Sequence, residues 1–336
     1  MRRPGTAGFL AVVKRFGMLI ILGLIILVIS LLNERFFTVS NFLIILRQVS
    51  INAVVAAGMT VVILSAGIDL SVGSVVALAG VLAAGALAAT GSTALAVLVG
   101  VGAGAALGAV NGVFIAYPRL PPFIVTLATI VLARGLTLVY TEGRPILVDS
   151  RAFEFVGGGY IFNIPVPVLL MGLVYVLLYL ILSWTKFGRY VYAIGGNEQA
   201  CRLSGMNVEG IKVAIYAISG FFAGLTAIVL SSRLLSAQPT AGVGYELDAI
   251  AAVILGGTSL SGGEGGLGGT IVGAIIIGVL ANGLNLLNVS PFFQDVAKGL
   301  VILFAVLLDR LIHTASTTTA PDAGAAATMS RATRRS

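Results

Sequence analysis

Long apolar runs separated by short polar segments make up most of this chain. Runs of about 20 apolar residues are long enough to cross a hydrocarbon core about 30 Å thick as a helix. Gly, Ser and Pro interrupt several runs, whereas the strands of a membrane β-barrel show two-residue alternation. The pattern therefore predicts an all-α polytopic membrane protein with about ten transmembrane helices. The candidate spans are residues 18–33, 41–66, 71–90, 93–116, 122–140, 166–184, 211–231, 246–261, 266–287 and 292–312.

Composition and charge agree with a membrane location and predict an orientation. Hydrophobic residues make up 58% of the 336 positions and charged residues 10%, whereas a soluble domain has about 25% charged residues. Basic residues collect in the N-terminal segment and in loops on the same predicted side, at Arg119, Lys186, Arg189, Arg202 and Lys212. Because cytoplasmic loops carry the excess of Lys and Arg, both termini are predicted to be cytoplasmic. The net charge of +7 then reflects the topology. The sequence has no aromatic-flanked patch of basic residues, so nucleic-acid binding is not indicated.

The chain divides into an N-terminal segment, one membrane domain and a polar tail. Residues 1–17 are predicted to be cytoplasmic, residues 18–312 to form the transmembrane domain, and residues 313–336 to be a disordered cytoplasmic tail. The first apolar run is followed by NERFF rather than by a small-residue cleavage site, which predicts a retained first span. A single cysteine, Cys201, excludes an intramolecular disulfide and a cysteine zinc cluster.

Two interruptions of the apolar pattern resemble each other. VILSAGIDLSVGS at 62–74 and VILGGTSLSGG at 253–263 each pass from apolar residues through Gly to polar residues, then to LS and Gly. Paired, Gly-interrupted segments in the two halves of a transporter indicate a binding or conducting path. Small residues also serve close helix packing, so both interpretations stay open at this stage.

Polar residues inside the spans are candidates for a translocation path, because ionisable groups in hydrocarbon are costly and usually functional. Asp69, in the first interruption, is the strongest candidate. The predicted path residues are Asp69, Ser71, Ser74, Thr126, Thr129, Thr258, Ser259, Asn282 and Asn285. For the uncharged residues of this set, hydrogen bonding between helices explains their presence equally well. Asp295 and Lys298 lie three residues apart and are predicted to form an ion pair, and Arg134 is expected to extend towards the interface.

Groups that perform catalysis are missing from the sequence, so the chain is predicted to be a transport subunit and not an enzyme. It has no G-x-x-x-x-G-K-[ST] motif for nucleotide phosphates, and its one histidine, His313, has no partner for metal or triad chemistry. We expect no metal and no cofactor in this chain. Uphill transport would then draw on an ion gradient or on another protein.

The polar stretch GGNEQACRLSGMNV at 195–208 favours another protein, since it lies in a predicted cytoplasmic loop, residues 185–210. Asn197 can cap a helix N-terminus, Glu198 suits the positive end of its dipole, and Gly205 can end it in a left-handed conformation. A helix of about two turns is marginal alone in water and needs a surface to pack on. We therefore predict a coupling helix that docks on an ATP-hydrolysing subunit, with a compact surface loop as the alternative.

Four stretches resemble the membrane permeases of bacterial ABC importers for monosaccharides, those of the ribose type above all. They are GMTVVILSAGIDLSVGS (58–74), GRYVYAIGGNEQACRLSGMNV (188–208), SAQPTAGVGYELDAIAAVILGGTSLSGGEG (236–265) and NGLNLLNVS (282–290). The resemblance extends from about Phe36 to Asp309. It implies a bacterial inner-membrane protein in which two permease chains, commonly a homodimer, form the pathway. It also implies a cytoplasmic ATPase with two nucleotide-binding domains, which binds ATP and magnesium, and a periplasmic or external sugar-binding protein.

The coupling segment of that family maps, by this resemblance, onto Gly196, Asn197, Glu198, Ala200, Arg202, Leu203, Ser204 and Gly205. Gln199 departs from the E-A-A…G pattern of other importers, and Glu198 and Gly205 are seven residues apart. The implied function is ATP-driven import of a monosaccharide, ribose or a related pentose first, although similar permeases carry other sugars.

Two other functions remain open on the sequence. An ion-coupled secondary transporter of a small polar solute, with Asp69 as the ion site, is the main alternative, because broken helices in both halves suit that class as well. A passive channel is the weaker one. Neither class needs the polar helix predicted at 195–208.

Overall fold

A computed structural model describes residues 4–301, 303 and 307 of the chain, and side chains from residue 18 onward. Its helices are α1 (Pro4–Leu32), α2 (Val39–Leu64), α3 (Val72–Thr90), α4 (Thr93–Ala116), α5 (Pro122–Thr141), α6 (Arg151–Gly158), α7 (Val166–Trp184), α8 (Lys186–Leu203), α9 (Val208–Leu234), α10 (Tyr245–Leu255), α11 (Leu267–Leu286) and α12 (291–301). A short 3-10 helix, Glu34–Phe37, joins α1 to α2. The two-residue strands are β1 (Ile146–Leu147), β2 (Tyr160–Ile161), β3 (Ile164–Pro165) and β4 (Ser236–Ala237), which pair antiparallel as β1–β4 and β2–β3.

Seven helices of the described chain are long and apolar enough to cross a membrane, namely α2, α3, α4, α5, α7, α9 and α11. The prediction of a polytopic helical membrane protein is confirmed. The span predicted at 246–261 is wrong in length, because α10 has 11 residues and ends at Leu255. Gly256 and Gly257 follow it, and the left-handed φ of 77° at Gly257 turns the chain away from a helical course.

The ends of the predicted membrane domain are only partly described. α1 begins at Pro4, so most of the segment predicted at residues 1–17 belongs to the same helix as the first apolar run. α12 covers the first half of the span predicted at 292–312. The predicted tail at 313–336 lies outside the described residues.

Two small layers mark opposite ends of the helix bundle. α6 and the β2–β3 hairpin lead directly into α7, and α8 begins two residues after α7 ends. Since α7 has 19 residues that rise 1.5 Å each, about 28 Å separate the two layers. β4, which follows α9, pairs with β1 on the α6 side. The two ends are called the α6 end and the α8 end below.

Glycines bring α4 and α9 into direct backbone contact. A Cβ at Gly104 would overlap the carbonyl oxygen of Gly220 and would lie 2.9 Å from the backbone of Gly224. A Cβ at Gly108 would overlap the carbonyl oxygen of Tyr216. Helices in a membrane have no hydrophobic driving force between them and associate closely through such small residues. The glycines therefore set how near the polar residues of α4 and α9 come to each other.

α2 is the central helix of the bundle. Its residues from Val49 to Leu64 are buried, except for the partly exposed Asn52. A helix that is apolar on all sides belongs in the interior, and α7, α9, α10 and α11 pack around this one. Tyr175 of α7 donates a hydrogen bond to the carbonyl oxygen of Ala53 at 3.0 Å. The chain segment that follows Leu64 therefore starts inside the protein.

Candidate transport and coupling site

The two interruptions predicted from the sequence are helix breaks, and they contact each other. The first break, residues 65–71, separates α2 from α3, and the second break, residues 256–266, separates α10 from α11. The amide of Gly263 donates to the carbonyl oxygen of Leu64 at 2.9 Å. A carbonyl at the C-terminus of a helix lacks an intrahelical partner, and here the second break supplies one.

α8 joins this contact through Gly195. A Cβ at Gly195 would overlap the carbonyl oxygen of Leu64 and the amide of Gly263, so only glycine fits there. A Cβ at Gly262 would lie 2.7 Å from the amide nitrogen of Ala66. Leu64, Gly195, Gly262 and Gly263 are called the glycine junction below. Through this junction both breaks reach the α8 end of the bundle.

Asp69 lies in the first break at the centre of a buried hydrogen-bond network. It is 1% exposed. Its Oδ1 accepts from the amide (3.0 Å) and the hydroxyl (2.6 Å) of Ser71, and its Oδ2 accepts from Ser219 Oγ at 2.8 Å. Ser71 Oγ accepts from Asn111 Nδ2 at 2.9 Å, and Thr129 Oγ1 donates to Asn111 Oδ1 at 2.5 Å. The network ties the first break to α4, α5 and α9, and it offsets the cost of burying a carboxylate.

Sequence reasoning named three members of this network, Asp69, Ser71 and Thr129, and missed Asn111 and Ser219. Asn111 is the one amide side chain in α4. A single amide in an apolar span often hydrogen-bonds to another helix, so the sequence could have marked this residue as a candidate. Ser219 is one of several small residues in α9. The position of Ser219 in the sequence does not distinguish it from the other small residues, because only the packing of α9 against the first break makes it a partner of Asp69.

Asn282 and Asn285 of the predicted path belong to a second polar group, near the C-terminal end of α11. Asn282 exchanges two amide hydrogen bonds with Asn41 of α2, at 2.9 and 3.1 Å. Asn285 Oδ1 accepts from Gln294 Nε2 of α12 at 2.8 Å. The structure does not bring these asparagines together with Asp69. Each is paired with another helix, a role that polar residues often have in membrane bundles.

Thr258 and Ser259 form a third group, inside the second break. Thr258 Oγ1 accepts from the amide of Gly266 at 3.2 Å, and Ser259 Oγ accepts from the amide two residues later at 3.2 Å. Thr126 and Ser74 are buried as well. Side chains that bond nearby backbone groups shape the turns in which they lie. Contact with solute stays a prediction for the whole predicted set.

Two predictions about charged side chains are wrong. Lys298 pairs with Asp248 of α10 rather than with Asp295, since its Nζ lies 3.1 Å from Asp248 Oδ2. Arg134 does not extend towards the interface, because its Nη1 donates to two carbonyl oxygens in residues 239–241, at 2.6 and 3.1 Å. In both cases another part of the chain satisfies the cation inside the protein, which is the usual arrangement for intramembrane charges.

The coupling helix predicted from the sequence has the predicted N-cap and C-terminal glycine. It is the last part of α8 rather than a separate helix. Asn197 is the residue of α8 with non-helical torsion angles (φ −161°, ψ 96°), so it kinks the helix. Its Oδ1 accepts from the amide of Ala200 at 2.9 Å, as an N-cap does. Gly205 has the left-handed φ of 78° that follows a helix end. The segment predicted to be a coupling helix is thus residues 198–203, called the coupling helix below after that prediction, and the helix at 186–196 was missed.

Glu198 and Arg202 of the coupling helix turn back towards the protein. Glu198 Oε1 lies 2.8 Å from Arg202 Nη2, Glu198 Oε2 lies 2.6 Å from Lys212 Nζ, and Arg202 also contacts Glu209. Partial burial by itself would raise the pKa of Glu198, but hydrogen bonds from Lys212 and Arg202, with their charges, bring that pKa below its usual value. This ion cluster clamps the coupling helix to the start of α9.

The opposite face of the coupling helix is open in the described chain. Leu203 is 84% exposed, and Gln199, Ala200 and Ser204 are exposed beside it. Cys201 lies on the inner face, where it packs in a small apolar cluster with Val208. The helix therefore has one face held by the protein and one face, with an apolar side chain at its end, that is free to meet a partner.

Comparison with known proteins places the chain in a family. The profile described as "Branched-chain amino acid transport system / permease component" matches residues 41–306. The chain belongs to this permease family. The permease is 51% identical over 310 residues to the ribose import permease protein RbsC of Haemophilus influenzae. The alignment covers 91% of this chain and 95% of that protein.

Two further relatives are a second ribose permease and a permease named for another sugar. The chain is 52% identical over 304 residues to RbsC of Bacillus subtilis, covering 90% of this chain and 94% of that protein. It is 40% identical over 300 residues to the D-allose transport system permease protein AlsC of Escherichia coli, covering 89% and 92%. No solved structure matches the chain. Family membership and seven apolar helices together make the permease a multi-pass membrane protein.

Proposed function

We propose that this permease is the membrane subunit of an ATP-driven bacterial importer for a monosaccharide, ribose or a related pentose, and that it works in the inner membrane. Identity of 51% and 52% to two ribose import permeases supports the substrate class. The 40% identity to a D-allose permease supports sugar import more generally. The family description alone covers a wider range of solutes.

Ten membrane crossings would account for the described helices. They would be made by α1, α2, α3, α4, α5, α7, α9, α11 and α12, and by α10 together with the non-helical residues 238–244 before it, with α6 and α8 at the two ends of the bundle. An even number of crossings puts both termini on one side of the membrane. Arg119, Lys186 and Arg189 favour the cytoplasm for the α8 end, since cytoplasmic loops are rich in Lys and Arg. The α6 end would then face the sugar-binding protein.

The position of the coupling helix is the observation that carries the proposal. It is clamped to α9 by Glu198 and Arg202, and it presents Leu203 outward. α8, of which it is the last part, contacts the end of α2 and the second break through Gly195. A cytoplasmic ATPase that moved this helix would therefore move both breaks. An ATPase can switch the pathway only if it contacts the two states differently, and the open face is where we place that contact.

The complete importer in this proposal has three kinds of partner. A second copy of the permease would complete the pathway as a homodimer. A cytoplasmic ATPase with two nucleotide-binding domains would bind ATP and magnesium, and a periplasmic or external protein would bind the sugar. We expect the permease chain to need no cofactor of its own, because nucleotide chemistry belongs to the ATPase.

The geometry at Asp69 does not favour an ion-coupled transporter. Both oxygens of this carboxylate already accept hydrogen bonds, from Ser71 and from Ser219. An ion or proton site needs an approach from an aqueous path, whereas Asp69 is 1% exposed in the chain. We assign Asp69 the role of holding the first break in place.

Reconstitution of the whole importer tests the function. The permease is co-expressed with an ABC-type ATPase and a sugar-binding protein of the same organism, and the complex is placed in liposomes. ATP hydrolysis and uptake are recorded with the binding protein loaded in turn with ribose, xylose, arabinose, allose and galactose. Ribose is expected to stimulate both most strongly. Solute entry that needs a proton or sodium gradient, with no complex between permease and ATPase, would overturn the proposal.

A further inference from the structure

Residues 238–244, between β4 and α10, form a non-helical stretch inside the bundle. Ala237, just before it, packs in one apolar cluster with Leu87 in the last turn of α3. Gly242, near its other end, lies against Gly73 at the start of α3, where the two backbones leave no room for a Cβ. The stretch therefore runs along α3 between its two ends, at the depth of a membrane span.

Arg134 satisfies one side of this stretch. Irregular backbone at membrane depth is stable only where protein or water meets its polar groups, because hydrocarbon cannot. Arg134 is the thirteenth of 20 residues in α5, and its Nη1 donates to the carbonyl oxygens of Pro239 (2.6 Å) and Ala241 (3.1 Å). Glu246, in the first turn of α10, attracts the guanidinium. Arg134 thus holds the stretch from the α5 side, and the carboxylate of Glu246 offsets its positive charge.

The other side of the stretch is open in the described chain. Thr240 is exposed, Val243 is 71% exposed, and Gln238 is half-buried. Lipid cannot cover a hydroxyl and irregular backbone at this depth. On α5, by contrast, Val131 and Leu132 present exposed apolar side chains that suit lipid. A small, polar, irregular face suits a water-filled path, in which solute contacts must be weak enough for the solute to leave.

We propose that residues 238–244 line the path of the translocated sugar, with Thr240 and Val243 facing it and Arg134 as the positioning residue behind them. This inference rests on the proposed import function. The hydroxyl of Thr240 offers a donor and an acceptor to a polyhydroxylated solute, and at Gly244, beside Val243, no atom lies within 4 Å of the position a Cβ would take.

Thiol accessibility in the reconstituted importer tests the inference. Thr240→Cys, Val243→Cys and the control Val131→Cys are each exposed to a charged, membrane-impermeant methanethiosulfonate reagent, with and without ATP. The unchanged chain, whose one cysteine is the buried Cys201, gives the background. We expect reaction at 240 and 243 with loss of ribose uptake, slower reaction when the binding protein is loaded with ribose, and reaction at 131 no higher than background.

Two results would overturn the inference. One is no reaction at 240 and 243 in any nucleotide state. The other is disulfide formation between two copies through Val243→Cys without access for the reagent, which would make this face a contact between permease chains. Ribose uptake by the unchanged importer is measured first. Failure of that uptake would contradict the proposed function, whereas uptake with unreactive cysteines would contradict the path assignment alone.

Arg134 has a test of its own as a positioning residue. Arg134→Met removes both donors to the stretch, and it is expected to reduce uptake and to change the reaction rate of Val243→Cys. Arg134→Lys keeps the charge and a donor, and it is expected to restore part of both. If Arg134→Met lowered uptake while the reactivity of Val243→Cys stayed the same, Arg134 would not position this stretch.

Discussion

Asp69 shows how one buried side chain can organise the break between two helices. Its two oxygens accept from one amide and two hydroxyls, one of which belongs to α9. Through Ser71 and Asn111 the same bonds extend to α4 and α5. A hydrogen bond to a charged group contributes about 1.5–3 kcal/mol. Loss of this carboxylate is therefore expected to change the conformation of the first break.

Asp69→Asn is expected to keep most of the ribose uptake, and Asp69→Ala to abolish it. Asparagine can still accept from Ser71, and its amide can donate to Ser219, whose hydroxyl accepts as well as donates. Alanine leaves buried donors unpaired, at about 1–3 kcal/mol each. Uptake in proteoliposomes and the unfolding midpoint of the purified complex measure the two effects.

Ser65→Ala is the control for this pair, since it removes another buried hydroxyl of the first break, one that donates to the carbonyl oxygen of Val62. We expect it to behave like the unchanged chain in both measurements. An Asp69→Asn variant that is as inactive as Asp69→Ala, yet as stable as the unchanged protein, would show that the ionisable group itself is needed and would return Asp69 to the role of an ion site.

At the scale of elements, several helices of the bundle meet through direct backbone contacts. α8 meets the end of α2 and the second break at Gly195, where backbone atoms touch backbone atoms. α4 meets α9 in the same way at Gly104 and Gly108. Closely packed interiors transmit small displacements instead of absorbing them. Such contacts suit the transfer of a movement from the coupling helix to the breaks.

Gly195→Ala is expected to separate ATP hydrolysis from sugar uptake. The added methyl group would overlap the carbonyl oxygen of Leu64, so α8 must shift away from the junction. Gly196→Ala is the matched control, because nothing lies within 4 Å of a Cβ at that position. Sugar imported per ATP hydrolysed is the quantity to compare. A ratio that falls equally in both variants, or in neither, would contradict a role of the junction in coupling.

Gly104→Ala is expected to destabilise the permease by about 1–3 kcal/mol, the usual cost of overpacking a close contact. The new Cβ would meet the backbone of Gly220 and Gly224 on α9. Gly102→Ala lies in the same helix with nothing within 4 Å of its Cβ. Thermal unfolding in detergent should therefore separate the two variants. Similar midpoints for both would mean that α4 and α9 do not rely on backbone contact.

The whole molecule has two different ends joined by the spans. One end carries α6 and the short strands, and the other carries α8 with its charged clamp and the open face at Leu203. A partner ATPase at the α8 end and a binding protein at the α6 end would each meet a surface that the other cannot reach. Communication between them must then pass through the helix breaks in between.

Leu203→Asp is expected to abolish co-purification of the ATPase and leave membrane insertion intact. Leu203 is 84% exposed and makes no core contact that its loss would weaken, while a charge there opposes burial in an apolar cleft. Phe162→Asp, at a position that is 95% exposed at the α6 end, is the control and should keep the ATPase bound. ATPase retained by Leu203→Asp would place the docking contact elsewhere.

The sequence by itself determined the membrane character of this protein, most of its helices, its two breaks and the cap and stop of the helix at residues 198–203. These features depend on residues within one span or one turn. Apolar runs predict spans because length and composition decide membrane insertion. Asn197 and Gly205 act on the backbone next to them, so their meaning can be read without knowing what surrounds them.

Only the tertiary structure decided which polar groups meet. Lys298 pairs with Asp248, 50 residues away, and Arg134 bonds to a carbonyl 105 residues away. It also decided that α10 is short and that irregular backbone precedes it at membrane depth. In a chain that is apolar almost throughout, the amphipathic pattern that usually marks the buried face is weak. Which buried surfaces meet is then set by long-range packing, through glycine contacts that leave no local pattern unique to them.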